Sequence, residues 1–226
     1  MPTVCFANSK GGAGKSTTTL IIGQVLAEAG KKVAILDADP NQPLASWAER
    51  TGDSIPDELK IIAGVTEKNL LDIQEVEAEE SDFVLIDLEG TASIAVSYSI
   101  SVSDFVVIPC GGTQLDVDQA ARVIALIRDS ERTSRRTIPY SLMFTRVSPA
   151  IVPKDLRHIV KELEKANIPT FTEAVTQRSV YSTIFQTGGT IYQLTKEDAS
   201  GIDKAITNAE AVAQELINKL VEVKND

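Results

Sequence analysis

The stretch Phe6-Ala7-Asn8-Ser9-Lys10-Gly11-Gly12-Ala13-Gly14-Lys15-Ser16-Thr17-Thr18-Thr19 decides the fold. A short apolar run, Val4 to Ala7, enters a loop holding three glycines, and the loop ends in Gly-Lys-Ser at the head of a helical pattern. Strand, glycine loop and helix in that order are the context that phosphate binding requires. Glycines let backbone N–H groups turn inward and approach an anion with no Cβ in the way. The helix start adds unpaired N–H groups and the positive end of its dipole. Lys15 is placed to reach the β- and γ-phosphates of a nucleotide, and the Ser16 hydroxyl to ligate Mg²⁺. Gly11, Gly12, Ala13, Gly14 and Thr17 complete the expected cradle. The strict spacing of such loops is not met, because Ser9 holds the first glycine position, and a second lysine, Lys10, sits inside the loop.

Outward from the loop, apolar runs alternate with helical patterns. Strands are expected at 32–37, 60–63, 82–87, 104–109, 140–144 and 168–171, and helices at 17–29, 70–80, 116–128, 153–165 and 202–221. Strands apolar on both faces and separated by helices indicate a parallel twisted sheet covered on both sides, an α/β fold of phosphate-loop type. Right-handed crossovers place all strand C-termini on one edge, so other functional groups should gather there beside the loop. Asp37 and Asp39 follow the second strand and Asp87 ends the fourth. Acids at strand ends facing a phosphate loop are what Mg²⁺ coordination needs, so Asp37, Asp87 and Ser16 are the expected metal set.

Composition sets the outer bounds. At 226 residues the chain fits one domain, 1–226, with a large core. No apolar run approaches the roughly 20 residues of a membrane span, and no signal peptide opens the sequence. Cys5 and Cys110 fall in expected strands and have the pattern of small core residues, which fits a reducing cytoplasm. A net charge of −10 disfavours general attraction to nucleic acid, so any DNA contact must rest on a local cationic patch.

The string Lys-Gly-Gly-Ala-Gly-Lys-Ser-Thr resembles the deviant Walker A box of the ParA/MinD family of ATPases, most of all a small partition-type ParA protein. That resemblance implies ATP and Mg²⁺ as cofactors, slow, partner-stimulated ATP hydrolysis, and a homodimer in the ATP state. It implies that Lys10 crosses the dimer interface to the partner's nucleotide and acts in catalysis. It also makes Asp39 the acid that helps position the attacking water, and Asp87 the Walker B acid. Thr145-Arg146 falls where the family places part of its adenine pocket. Ser9 fits the partition branch, since the MinD branch usually has glycine there. The 37–47 stretch also resembles a small ParA-like protein that assists T-DNA transfer. Glu89-Gly90 departs from the Pro-Pro or similar turn that many relatives carry after the Walker B acid.

The implied function is partition or positioning of DNA by an ATP-dependent dimer that binds duplex DNA without sequence preference, assisted by an adaptor or centromere-binding protein and nucleoid-associated in the ATP state. A small-molecule ligase or kinase on the same fold is the enzyme-class alternative. A MinD-like membrane ATPase needs a basic, bulky amphipathic C-terminal helix, and the 213–224 tail has no aromatic residue and mixed charge. On the 153–165 helix, Lys154, Arg157, Lys161 and Lys165 share a narrow sector opposite Leu156, Ile159, Val160 and Leu163. That sector serves either as a solvated face or as a phosphate-backbone contact. Arg128, Arg132, Arg135 and Arg136 form a second cationic group. Lys15→Ala should abolish ATP binding in calorimetric titration, because it removes the phosphate-facing cation; unchanged affinity would overturn the loop assignment.

Overall fold

The computed structural model describes residues 1–90, 93–148 and 154–225. Along the chain run β1 (Thr3–Phe6), α1 (Lys15–Glu28), β2 (Val33–Ala38), α2 (Pro43–Thr51), β3 (Leu59–Ile62), α3 (Leu70–Glu80), β4 (Phe83–Leu88) and α4 (Ile94–Val102). Then come β5 (Phe105–Cys110), α5 (Gln114–Ser134), β6 (Tyr140–Val147), α6 (Lys154–Lys165), β7 (Val175–Thr176), α7 (Ser179–Thr187) and α8 (Ile202–Asn225). The strands form one sheet in the order β3-β2-β4-β1-β5-β6-β7, and the strand pairs are parallel. The expected α/β architecture is therefore the one present.

Side chains alternate across each strand, and the two faces build two cores. Val4 and Phe6 join Leu20, Ile21, Trp47, Ile184, Val212 and Leu216 beneath α1, α2, α7 and α8. Cys5 and Ala7 join Leu70, Ile100, Ile124 and Leu163 beneath α3, α4, α5 and α6. Both cysteines are buried and free, in keeping with their strand pattern. The C-terminal helix buries Ala205, Ala209, Val212, Ala213, Leu216 and Leu220, so its apolar stripe is spent on the core and not left for a lipid surface. Among the described residues no helix is long and apolar enough to cross a membrane.

The structure departs from the sequence-based expectation in three respects: added helices, one lost strand and one longer helix. Helices α2, α4 and α7 occupy stretches where no helix was expected. The 168–171 segment does not form a strand; it makes a single bridge, Leu142 to Thr170, and the edge pairing falls instead to Val175–Thr176. Helix α5 runs six residues beyond its apolar pattern, to Ser134, on polar side chains. Pro153, the expected start of the α6 helix, lies outside the described residues.

Trp47 is fully buried, and its indole Nε1 donates to the Gly189 carbonyl at 2.9 Å, pinning α2 to the turn after α7. Trp47→Ala removes that bond and opens a large void. It should cost about 3–5 kcal/mol and lower the thermal midpoint by roughly 10 °C in calorimetry.

Candidate functional site

β1 leaves the sheet between β4 and β5, and side chains at its end fold the loop. Asn8 donates from Nδ2 to the Pro109 carbonyl at 2.6 Å and accepts from the Lys10 N–H at 2.9 Å. Ser9, where strict loops have glycine, donates its hydroxyl to Gln119 Oε1 at 2.9 Å and ties the loop to α5. Gly14 takes φ +90° as the residue before α1, a conformation that suits glycine. α1 begins with no side-chain cap and no acid in its first turn, so its N–H groups remain available to an anion. From β6, Thr145 Oγ1 donates to the Ala13 carbonyl at 2.7 Å and Arg146 Nη1 to the Gly12 carbonyl at 2.8 Å. The Thr145-Arg146 pair thus buttresses the loop as well as lining the cavity beside it.

On the other flank, Gly90 packs directly on the loop backbone. A Cβ at Gly90 would stand 2.6 Å from the Gly11 nitrogen and 2.8 Å from the Lys10 carbonyl carbon. The Glu89-Gly90 departure therefore has a steric reason: no side chain fits between the end of β4 and the loop. Thr91, next in the chain, lies outside the described residues.

The charged groups meet at this edge. Register places Asp87 beside Phe6 on β1 and beside Asp37 on β2. Asp87 is fully buried, and neither carboxylate oxygen has a hydrogen-bond partner. Burial pushes its pKa up to about 7; Ser16 and Lys15 pull the other way, while Asp37 and Asp39 add to the rise. Lys15 is buried too, which lowers its pKa against the pull of Asp87, Asp39 and Glu89, and its Nζ donates to the Lys10 carbonyl at 3.3 Å. Asp37 accepts the Leu44 and Ala45 N–H groups on Oδ2, both at 2.9 Å, and so holds the first turn of α2; burial raises its pKa. Asp39 is half-buried and accepts from the Asn41 N–H at 2.8 Å. Lys10 turns away from this group: its Nζ pairs with Asp116 at 2.8 Å, and that bond holds the Asp116 carboxyl below the usual range despite its burial.

A cavity of about 540 Å³ runs from this edge. Gly11, Gly12, Gly14, Lys15, Ser16, Thr17 and Asp39 line one end, and Thr176, Arg178, Tyr181 and Phe185 the other, with Thr145 and Arg146 between. The volume suits a ligand of nucleotide size. Among the described residues no three His, Cys, Asp or Glu side chains gather as a self-sufficient metal site. An unpartnered buried carboxylate beside a serine hydroxyl instead fits Mg²⁺, which binds through one or two protein oxygens and completes its shell with phosphate and water.

The cationic residues divide. Arg157, Lys161 and Lys165 are exposed on α6 while Leu156, Ile159 and Leu163 are buried beneath them, and Lys165 pairs with Glu162 at 2.8 Å. The Lys154 side chain lies outside the described residues. In the second group, Arg136 is committed to the Ser101 and Ser103 carbonyls at the end of α4, and Arg132 to Asp129. Sequence reasoning missed the wall formed by residues 176–186, which carries no motif, and missed Asp116 as the partner of Lys10.

Three comparisons bear on this geometry. The model of the VirC1 protein family matches residues 1–223. The chain is 36% identical over 222 residues to a ParA protein of Rhizobium radiobacter, covering 98% of this chain and 99% of that one. It is 29% identical over 191 residues to the virC1 protein of the same organism, covering 83% and 82%. Among solved structures, apo McdA of Cyanothece superposes with a TM-score of 0.74 at 17% identity, over 92% of this chain and 99% of that one. Cobyrinic acid a,c-diamide synthase of Mycobacterium smegmatis, with an ATP analog and magnesium bound, gives 0.69 at 16%, over 96% and 94%.

The Asp87 carboxyl titrates higher in the fold than its ordinary 3.8, so its ionisation opposes folding. Its contribution to stability is full below about pH 4 and is lost as pH rises through about 7. Asp87→Asn, which cannot ionise, should therefore be more stable than the ligand-free wild type by about 2 kcal/mol at pH 8, a gain of roughly 5 °C in thermal midpoint that vanishes near pH 4. Equal midpoints at pH 8 would show that the carboxylate is satisfied in solution.

Proposed function

The chain belongs to the VirC1 protein family, and from that premise we propose that it is a dimerising ATPase of ParA type that partitions or positions a DNA cargo. The observation that carries the reading is a nucleotide-sized cavity lined at one end by Lys15, Ser16 and Asp39, with the fully buried Asp87 close enough to act on Lys15 and Ser16. ATP would lay its phosphates on the 11–17 backbone, with Lys15 exchanging the Lys10 carbonyl for phosphate oxygens. Ser16 and Asp87, with Asp37 beside them, would hold Mg²⁺, which when bound neutralises phosphate charge. Asp39 would accept a hydrogen bond from the attacking water and orient it, which contributes to the transition state and little to ground-state binding. Lys10 would leave Asp116 and reach the nucleotide of a second copy, so that two nucleotides lie between two subunits. An adaptor protein would stimulate the slow hydrolysis.

The DNA contact rests on α6. One stripe of Arg157, Lys161 and Lys165, with Lys154, neutralises few phosphates on a chain of net charge −10. Two stripes on a dimer about double that number, and each neutralised phosphate adds roughly 0.9 to the slope of log affinity against log salt. Dimerisation then acts as the DNA switch. The diamide synthase neighbour keeps a ligase reading in play, since fold alone does not separate it from an ATPase switch. The 36% identity to ParA across nearly the whole chain favours the switch.

Sizing by light scattering with ADP and then ATP, each with and without unrelated duplex DNA, tests the proposal. Wild type should double its mass only with ATP and bind DNA in that state with a steep salt slope. Lys10→Ala should stay monomeric while its ATP affinity remains within about tenfold. Asp39→Ala should dimerise and hydrolyse at least about 100-fold more slowly. A wild-type protein that binds ATP and stays monomeric would shift the assignment to the ligase class.

A further inference from the structure

We propose that Asn208, on α8 and outside the cavity, is the positioning residue for the wall that receives the base and ribose of the nucleotide. This rests on the reading that the cavity takes a nucleotide with its phosphates on the 11–17 loop. The far wall needs a hold of its own. Its strand, β7, is two residues long, sits at the sheet edge, and pairs with β6 through a register irregularity between Thr145 and Val147. So short an edge strand is marginal by itself.

Asn208 supplies what the ladder lacks. Its Oδ1 accepts from the Thr176 N–H at 3.0 Å, from the Thr176 hydroxyl at 2.7 Å and from the Tyr181 hydroxyl at 3.2 Å. Its Nδ2 donates to the Ala174 carbonyl at 2.9 Å. The Tyr181 hydroxyl has its shorter bond to the Ala205 carbonyl, at 2.7 Å, so Thr176 is the main client of the amide. Thr176 Oγ1 in turn accepts from Arg178 Nε at 2.8 Å. One side chain thus fixes, directly or through one neighbour, three cavity-lining residues: Thr176, Arg178 and Tyr181.

The same helix holds the preceding segment by other means, and that separates positioning from plain anchoring. Seven residues on, Glu215 accepts the Thr172 and Glu173 N–H groups, both at 2.8 Å. Lys219 donates to the Thr170 carbonyl at 3.3 Å and lies over the Phe171 ring at 5.0 Å. None of residues 170–173 lines the cavity. Glu215 is therefore a control: comparable bonds on the same helix, with no route to the ligand.

The test measures ATP affinity by calorimetry and the single-turnover hydrolysis rate of bound ATP. Asn208→Ala should weaken ATP binding about tenfold and leave the single-turnover rate within about twofold, because the phosphate end is untouched. Glu215→Ala should change neither, although both variants should lose thermal stability. Asn208→Asp keeps the acceptor for Thr176 and should bind ATP within about threefold of wild type. Should Asn208→Ala not fold, Asn208→Ser carries the same expectation. Unchanged ATP affinity in the alanine or serine variant, or an equal loss in Glu215→Ala, overturns the proposal. Failure of the wild type to bind ATP would remove the nucleotide reading itself and this inference with it.

Discussion

Parallel pairing of β1 between β4 and β5 determines where every reactive group in this chain can stand. The register sets Phe6 level with Asp87, and Asp87 level with Asp37, so that three strands end together. β1 is fully buried along its length and has no freedom to slide. A slip of one residue would move Phe6 and Val4 to the opposite face and break both cores at once. The loop therefore emerges at one height above the sheet, beside carboxylates that the neighbouring strands deliver to the same height. Proximity of loop and acids follows from strand register before any contact between them is considered.

That placement has a thermodynamic counterpart. A carboxylate with no partner, a lysine resting on a carbonyl and a glycine crowded against the loop backbone are all unfavourable or neutral for folding by themselves. Two large apolar cores, with Trp47 and the α8 stripe among them, hold the site in that state. Stability is generated far from the loop and spent beside it, a division common at sites built for charged ligands.

Much of this was legible in the sequence, and the exceptions have physical causes. The long parallel strands announced themselves as continuous apolar runs, and the glycine loop with its lysine at position 15 turned out to line one end of the cavity. Helix α4, Ile94–Val102, was not legible because its sequence is apolar, β-branched and serine-rich, with no polar face to set a period. Helix α7, Ser179–Thr187, mixes β-branched and aromatic residues in the same way. Helix α2 is nine residues long and begins at Pro43, where the acids just before it drew the reading toward metal ligation. Asp37 shows the overlap directly, since one of its oxygens serves the α2 terminus. The apolar 168–171 segment looked like a strand but makes only one bridge to the sheet, and its Thr170 carbonyl is taken up by Lys219 of α8. The far wall of the cavity had no signal at all, because Thr176 and Tyr181 acquire their setting from a helix some 30 residues later.

Both loop lysines are already engaged within the chain, Lys15 with the Lys10 carbonyl and Lys10 with Asp116. On the proposed reading, ligand entry would be an exchange of partners, and an anion would gain only the difference between what it offers and what it displaces. A single small anion must outbid a carbonyl that comes with no loss of translational freedom, and it draws little surplus from doing so. A chain of linked phosphates gathers several such small surpluses while losing that freedom once. If the loop holds a nucleotide as proposed, the resting contacts of the two lysines would favour a chain of linked phosphates over simple anions.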